Sequence, residues 1–435
     1  MISEPDRQLV ARDPSLPGLQ LLLDENRLLE YVRNAWPNQP LDSLKCSYLR
    51  YKPGVNCLAG YVARTPAGGS LAFHAKARTA QHHAQLRPDD ASRSLGDACI
   101  VLRRFPDDRE LRGLPRLMLP ERRSRLLRKI LPDEPALWSA RPDMLRYKPE
   151  RRFVARLQGA DEARALVKVY DKGDFDNARR GATAFADGNH LKVARQLGRS
   201  RRHRVIVHEW LTGRPLDEWL RAPDFEPARM CEVGAALAEL HRQTPDALDR
   251  PGREDNALSV LVAANAAAWL HPALADRLRE LALRVAAQLL AEPATDSAIH
   301  GDFNAEQVLW DADGIGIIDY DRACSGDPAA DFGSFIARLE YEEMAGLLPG
   351  GRIDEIVASL LEGYGHRARC ARPARIEFQV AAGLLRLVPQ PFRNRDRDWP
   401  ERIEGLLHRA EHAFRADARP WTVGPRALDR GPIAS

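Results

Sequence analysis

Alternating apolar and polar positions dominate the first half of the chain. YLRYKPGVNCLAGYVA at 48–63 alternates as a half-buried strand does, passes the polar segment TPAGGS, and returns as LAFHAKA, which carries Lys76. The arrangement comes back at 144–158 as MLRYKPERRFVARLQ, with the polar segment GADEAR and the returning run ALVKVY, which carries Lys168. This echo predicts two related β-hairpins, each followed by a polar helical stretch; two copies are too few for a solenoid. A third apolar run, VIVHEWL at 205–211, breaks at Thr212 and Gly213. Beyond it the period changes, and apolar residues recur at helical spacing over 226–243, 262–291, 353–364, 374–389 and 400–415. Strands followed by helices predict an α+β chain rather than an alternating βαβ one. One hairpin interrupts the helical part: VLWDADGIGIID, 308–319, reads strand, Asp-Gly turn, strand.

Composition narrows the picture without deciding it. With 435 residues, 44% hydrophobic and 29% charged, the chain has the profile of an ordinary globular protein long enough for two or three domains. A net charge of +4 is too small to imply a polyanion partner, and the Arg-rich stretches 102–131 and 198–204 read as solvated faces, so nucleic acid is not expected. Cys46, Cys57, Cys99, Cys231, Cys324 and Cys370 are scattered with no metal-ligand spacing, which fits a reducing, cytoplasmic setting. The polar start lacks a signal-like apolar core, and no stretch is apolar enough to span a membrane. His82 and His83 read as polar surface, with nothing nearby to complete a metal site.

The densest chemistry lies in HGDFNAEQVL at 300–309 and IIDYDRACSGDPAADF at 317–332. The hairpin between them returns Asp319 to the loop that holds Asp302 and Gln307. Converging carboxylate and amide oxygens suit a hard cation such as Mg²⁺, which takes one or two carboxylates plus substrate phosphates. Asp302, on the other arm, is free to accept a hydroxyl proton. Asp327 and Pro328 fit a helix start, with Asp331 in the first turn.

These two segments resemble the catalytic and metal loops of the aminoglycoside phosphotransferase and choline kinase superfamily, relatives of the protein kinases. The resemblance rests on 200–335 and extends over 144–415. It implies a protein-kinase-like two-lobed fold, with a strand-rich N-lobe and hinge at 141–212, a helical C-lobe at 213–420 and a tail at 421–435. Residues 1–140 become an appendage resembling a degenerate half-lobe or cap. It further implies ATP and Mg²⁺ as cofactors, Asp302 positioning or deprotonating an acceptor hydroxyl, His300 and Asp331 bracing the loop, and Asp319 chelating Mg²⁺. Gln307 stands where the family carries Asn, with Asn304 as the other local amide, and Asp321 is either a second metal contact or a surface carboxylate.

The family's phosphate-binding strand lysine falls on Lys168, since Lys76 is too far from the hinge-like segment. That hinge, Glu209 to Leu211, would bind adenine through its backbone. The family's helix glutamate is missing, because none occurs between 163 and 208; Asp187 is the favoured substitute among Asp171, Asp174, Asp176 and Asp187. The turn after Lys148 and Pro149 is not glycine-rich, and Arg151 or Arg152 either reaches phosphate or is solvated. Phe392, Arg393, Arg395 and Trp399 either shape the acceptor pocket or pack. The expected function is transfer of the ATP γ-phosphate to a hydroxyl of a small molecule such as a sugar or aminoglycoside. A nucleotide-binding pseudokinase and a kinase for peptide Ser or Thr are the rivals, and oligomeric state is silent.

Overall fold

A Lys-Pro turn cuts each long alternating run in two. In the computed structural model, which describes residues 2–86, 89, 91–246, 248–251, 253–292, 295–311, 314–367 and 373–415, the first copy forms β1 (Ser43–Lys52), β2 (Asn56–Arg64) and β3 (Ser70–Arg78). The Lys52 carbonyl accepts from Val55 N–H at 3.0 Å, with Pro53 and Gly54 (φ 68°) between them. Proline second and a positive-φ residue third is the pattern of a type II reversal. Each copy is therefore a three-stranded meander rather than the expected hairpin.

β4 (Ser92–Leu95) and β5 (Ile100–Arg104) extend the meander to a five-stranded antiparallel sheet in the order β1-β2-β3-β5-β4. The second copy supplies β6 (Arg141–Lys148), β7 (Arg152–Gln158) and β8 (Arg164–Tyr170), followed by β9 (Leu191–Val193), β10 (Gln196–Ser200) and β11 (Val205–Glu209). Its sheet runs β6-β7-β8-β11-β10, the same order as the first, with β9 outside it. The early residues thus build a complete counterpart of the second sheet, not half of one. Helices Leu114–Met118 and Pro120–Ile130 lie between the two sheets in the chain, and Leu117, Leu126 and Leu127 join Phe153, Val167 and Val207 in one apolar cluster.

The helical part follows the predicted periodicity: Met230–Arg242, Arg253–Leu270, Ala275–Ala291, Ala329–Met344, Ile353–Glu362, Ile376–Leu387 and Trp399–Arg415. The single run expected over 262–291 is two helices, because Pro272 lacks an N–H and pushes His271 out of helical geometry. Within this part lie β12 (Arg214–Pro215), β13 (Ser297–Ile299), β14 (Val308–Asp311), β15 (Gly314–Ile317) and β16 (Cys324–Gly326). β14 and β15 form the predicted hairpin, and β9 pairs parallel with β15, which stitches the second sheet's chain to the helical part. Residues 312–313 of the hairpin turn, Cys370 and the expected tail at 421–435 lie outside the described residues. No helix among the described residues is long and apolar enough to cross a membrane.

The two ends of the described chain meet. Asp6, buried in the first helix (Glu4–Arg12), accepts two bonds from Arg395, at 3.1 and 2.7 Å, and one from Trp399 Nε1 at 3.3 Å. Phe392 packs edge-on against Trp399 at 5.5 Å. For Phe392, Arg395 and Trp399, then, packing and docking prevail over an acceptor role. Removing one partner of a buried bidentate pair strands the other charge. Asp6→Ala is expected to destabilise the protein by about 3 kcal/mol and to lower the thermal unfolding midpoint; an unchanged melt contradicts the docking.

Candidate active site

The loop from His300 to Gln307 is fixed from beneath by one carboxylate. Asp331 is fully buried in the first turn of its helix, and its Oδ2 accepts from His300 N–H at 2.7 Å while Oδ1 accepts from Gly301 N–H at 2.8 Å. His241 Nε2 lies 3.0 Å from the same Oδ2. Burial pushes the Asp331 pKa up, but the His241 contact and the donated bonds carry the net shift downward. His300 spans the two loops: Nε2 donates to the Ile318 carbonyl at 2.9 Å, and Nδ1 accepts from Asp302 N–H at 3.3 Å. That pattern is a neutral imidazole protonated on Nε2. Gly301 has φ 77°, and a Cβ there would stand 2.3 Å from the Arg322 carbonyl, so only glycine fits.

The loop presents Asp302 with its side chain 43% exposed, its Oδ2 3.9 Å from Arg322 Nε. Asn304 is occupied within the loop, its Nδ2 donating to the Asp302 carbonyl at 2.8 Å and its Oδ1 accepting from Glu306 N–H at 3.0 Å. Gln307 is the amide left over; its backbone carbonyl accepts from Ile318 N–H at 2.9 Å, and its side chain makes no hydrogen bond among the described residues. Asp327 Oδ1 accepts from Ala329 N–H at 2.9 Å, the expected helix-start contact.

Between the second sheet and the helical part lies a cleft of about 470 Å³. Leu145, Leu166, Leu211, Leu309 and Ile318 give it an apolar slot, and Lys168, Asp319 and Asp321 form a polar end. Lys168, only 4% exposed, donates to Asp319 at 2.6 Å and Asp321 at 3.0 Å. Arg152 Nη1 lies 3.2 Å from Asp319 and also bonds Asp321, and Tyr170 OH donates to Asp321 at 2.8 Å. Burial opposes every charge here, yet Lys168 and Arg152 hold Asp319 well below the usual carboxylate range. Burial and the neighbouring Asp319 charge push Asp321 upward. Lys168 is itself raised, because the two carboxylates outweigh its desolvation. Burial and Lys168 depress His208, on the same wall, to about 3 and keep it neutral. Asp319 sits at φ 69°, a left-handed conformation costing a non-glycine residue about 1–3 kcal/mol.

A family model described as the phosphotransferase enzyme family matches residues 150–377, which takes in the second sheet from β7 onward, both loops and the lining of the cleft apart from Leu145. The chain belongs to that family. The viomycin phosphotransferase of Streptomyces vinaceus is 29% identical over 218 residues, covering 46% of this chain and 68% of its own. Among solved structures, a choline/ethanolamine kinase family protein from Mesorhizobium loti is similar at 19% identity and a TM-score of 0.45, covering 69% of this chain and 96% of its own. A thermostable mutant of the aminoglycoside phosphotransferase APH(4)-Ia, in complex with ADP and hygromycin B, is similar at 13% identity and a TM-score of 0.48, covering 67% and 97%. As a family member the chain is an enzyme of the phosphotransferase class, and its antiparallel sheets followed by helices are of the expected α+β class.

The structure gathers Lys168, Glu209, Leu211, Asp319 and Asp321 around one cleft; Asp302, His300 and Gln307 belong to the adjoining loop and lie outside the cleft's lining. Two expectations change. Arg151 does not reach the acidic pair: its Nε donates to Asp174 Oδ2 at 3.0 Å, and Arg152 is the arginine that reaches it. Asp187 does not partner Lys168: its Oδ1 accepts from Val193 N–H at 2.7 Å, and Asp319 and Asp321 take the helix glutamate's place. Tyr170 was not foreseen. Strand alternation carried its signal, because Tyr170 pairs with Arg152 and shares a face with Lys168 two residues earlier.

Asp331→Ala leaves the His300 and Gly301 N–H donors and His241 without their acceptor, the loss at a buried donor costing about 1–3 kcal/mol. Its depressed pKa sets the sign of the pH dependence: Asp331 stabilises the fold above the unfolded carboxylate pKa, and that contribution is lost as pH falls through the folded value. Asp331→Ala should therefore be less stable at neutral pH and show a shallower loss of stability toward acid. Parallel stability-against-pH curves for the two proteins contradict the brace.

Proposed function

We propose that this enzyme transfers the γ-phosphate of ATP to a hydroxyl of a small molecule, with Mg²⁺ as cofactor. The observation that carries the reading is the cleft itself. An apolar slot of adenine character, bordered by the 209–211 segment, ends at Lys168, Asp319 and Asp321, and the braced loop holding Asp302 adjoins it. Lys168 and Arg152 are the cations for the phosphates, and the backbone of Glu209 to Leu211 offers the base-binding edge.

Asp319 and Asp321 fit a magnesium ion by donor type and number, since Mg²⁺ takes one or two carboxylates and completes its shell with waters and substrate phosphates. Lys168 and Arg152 keep Asp319 ionised, the state a ligand must have. Gln307, in the adjoining loop, is the amide that would assist. When bound, the ion neutralises charge on the phosphate oxygens. Asp302, exposed and tethered through its own backbone to His300 and Asn304, orients the acceptor hydroxyl and takes its proton.

The acceptor we favour is a hydroxyl-bearing small molecule such as a sugar or aminoglycoside; the viomycin phosphotransferase above is likewise named for a small-molecule acceptor. A cytoplasmic setting accords with the free thiols of Cys46, Cys57, Cys99, Cys231 and Cys324. Phosphate release from ATP, measured with a panel of sugars and aminoglycosides and with Ser- or Thr-containing peptides, tests the reading. Wild type should turn over with a small-molecule acceptor, Asp302→Ala should lose about 10²–10⁴-fold in kcat while still binding nucleotide, and Asp319→Ala should lose Mg²⁺-dependent turnover. Equal turnover by Asp302→Ala, or nucleotide binding by wild type with no transfer to any acceptor, contradicts it.

A further inference from the structure

The turn on the phosphate side of the second sheet is gripped by the first sheet. Between β6 and β7 the chain reverses through Pro149, Glu150 and Arg151, and Glu150 occupies the left-handed region at φ 56°. There a side chain is strained relative to glycine. What holds it is on the other sheet. Lys76 Nζ donates to Glu150 Oε2 at 2.5 Å, and Arg50 Nη2 donates to the same oxygen at 3.3 Å. The Glu150 backbone N–H donates to Asp108 Oδ2 at 2.8 Å. That oxygen also accepts from Tyr147 OH at 2.9 Å. Two residues beyond Glu150, Arg152 enters the acidic pair of the cleft.

Lys76 is the register counterpart of Lys168. It pairs with Leu58 of β2 and Val101 of β5, as Lys168 pairs with Val154 of β7 and Ile206 of β11. The surroundings have diverged. Where the second sheet sets Leu166 opposite His208 on its nucleotide wall, the first sets His74 opposite Arg103. The adjoining cavity of about 290 Å³ has no comparable apolar slot, and its Arg103 and Arg109 are both bonded to Asp89. The first sheet thus carries the lysine at the same register position without an apolar slot beside it.

We infer that the first sheet is a positioning module, in which Lys76 fixes Glu150 and so sets the β6–β7 turn and Arg152 for the nucleotide phosphates. Lys76 is a positioning residue; it touches neither nucleotide nor acceptor. The inference rests on the nucleotide reading of the cleft, and the experiment separates the two.

ATP affinity is measured by calorimetry on the full chain, with KM and kcat alongside and thermal melts confirming folding. Lys76→Met is expected to weaken ATP binding about tenfold, to raise KM for ATP more than it lowers kcat, and to be rescued in large part by Lys76→Arg. Glu150→Gln, which removes the charge with the least change of shape, should weaken binding similarly, and the double variant should be no worse than either single one. Wild-type affinity in a folded Lys76→Met or in Glu150→Gln overturns the positioning role and leaves the cleft reading intact. Failure of the wild type to bind ATP overturns both.

Discussion

Four charges, Lys168 buried and the other three half-buried, gather between the sheet and the helical part and set the terms for the rest of the molecule. Lys168 and Arg152 come from the second sheet, Asp319 and Asp321 from the loop after β15. Each is costly to remove from water, and the cost is offset only if every partner is present in close geometry. The arrangement is balanced in formal charge and crosses the cleft, so it fixes the sheet relative to the loop and keeps Asp319 ionised at the same time. The strained φ of Asp319 is tolerated in that setting, where His300 ties the preceding Ile318 and two cations hold the carboxylate. Under the proposed function, nucleotide phosphates and magnesium would exchange one set of opposite charges for another, so that a polyanion binds without leaving a charge alone in the cleft.

Much of this was legible in the chain. Strand and helix periods separated the two halves, the hairpin at 308–317 followed from its Asp-Gly turn, and the loop sequences placed His300, Asp302, Asp319 and Asp331 in one neighbourhood. The first Lys-Pro-Gly turn was passed over in reading 48–63 as one strand, although Pro53-Gly54 is a strong reversal signal inside an alternating run. In the second copy Glu150 replaces the glycine, and nothing in the local sequence shows that a lysine far earlier in the chain stabilises it there.

What could not be read depended on contacts distant in sequence. Asp319 and Asp321 serve as Lys168's partners only because β15 lies beside β9 and brings the loop under the sheet. Asp6 meets Arg395 and Trp399 through the packing of the two chain ends. The equivalence of the two sheets was visible as an echo of one segment, but the matching strand order needed β4, β5, β10 and β11, which are short and carry weak periodicity. The Lys76–Glu150 contact ties the first of these matching sheets to the β6–β7 turn of the second.

The central claim is that the cleft beside Lys168 receives a nucleotide whose phosphates and metal replace the ion pairs now closing it. A crystal structure with a non-hydrolysable ATP analogue and Mg²⁺ measures this directly. The account predicts the base between Leu166 and Leu309, phosphate oxygens at Lys168 and Arg152, and the ion on Asp319. Nucleotide bound elsewhere, or Lys168 and Asp319 still paired with the phosphates remote from both, would contradict it.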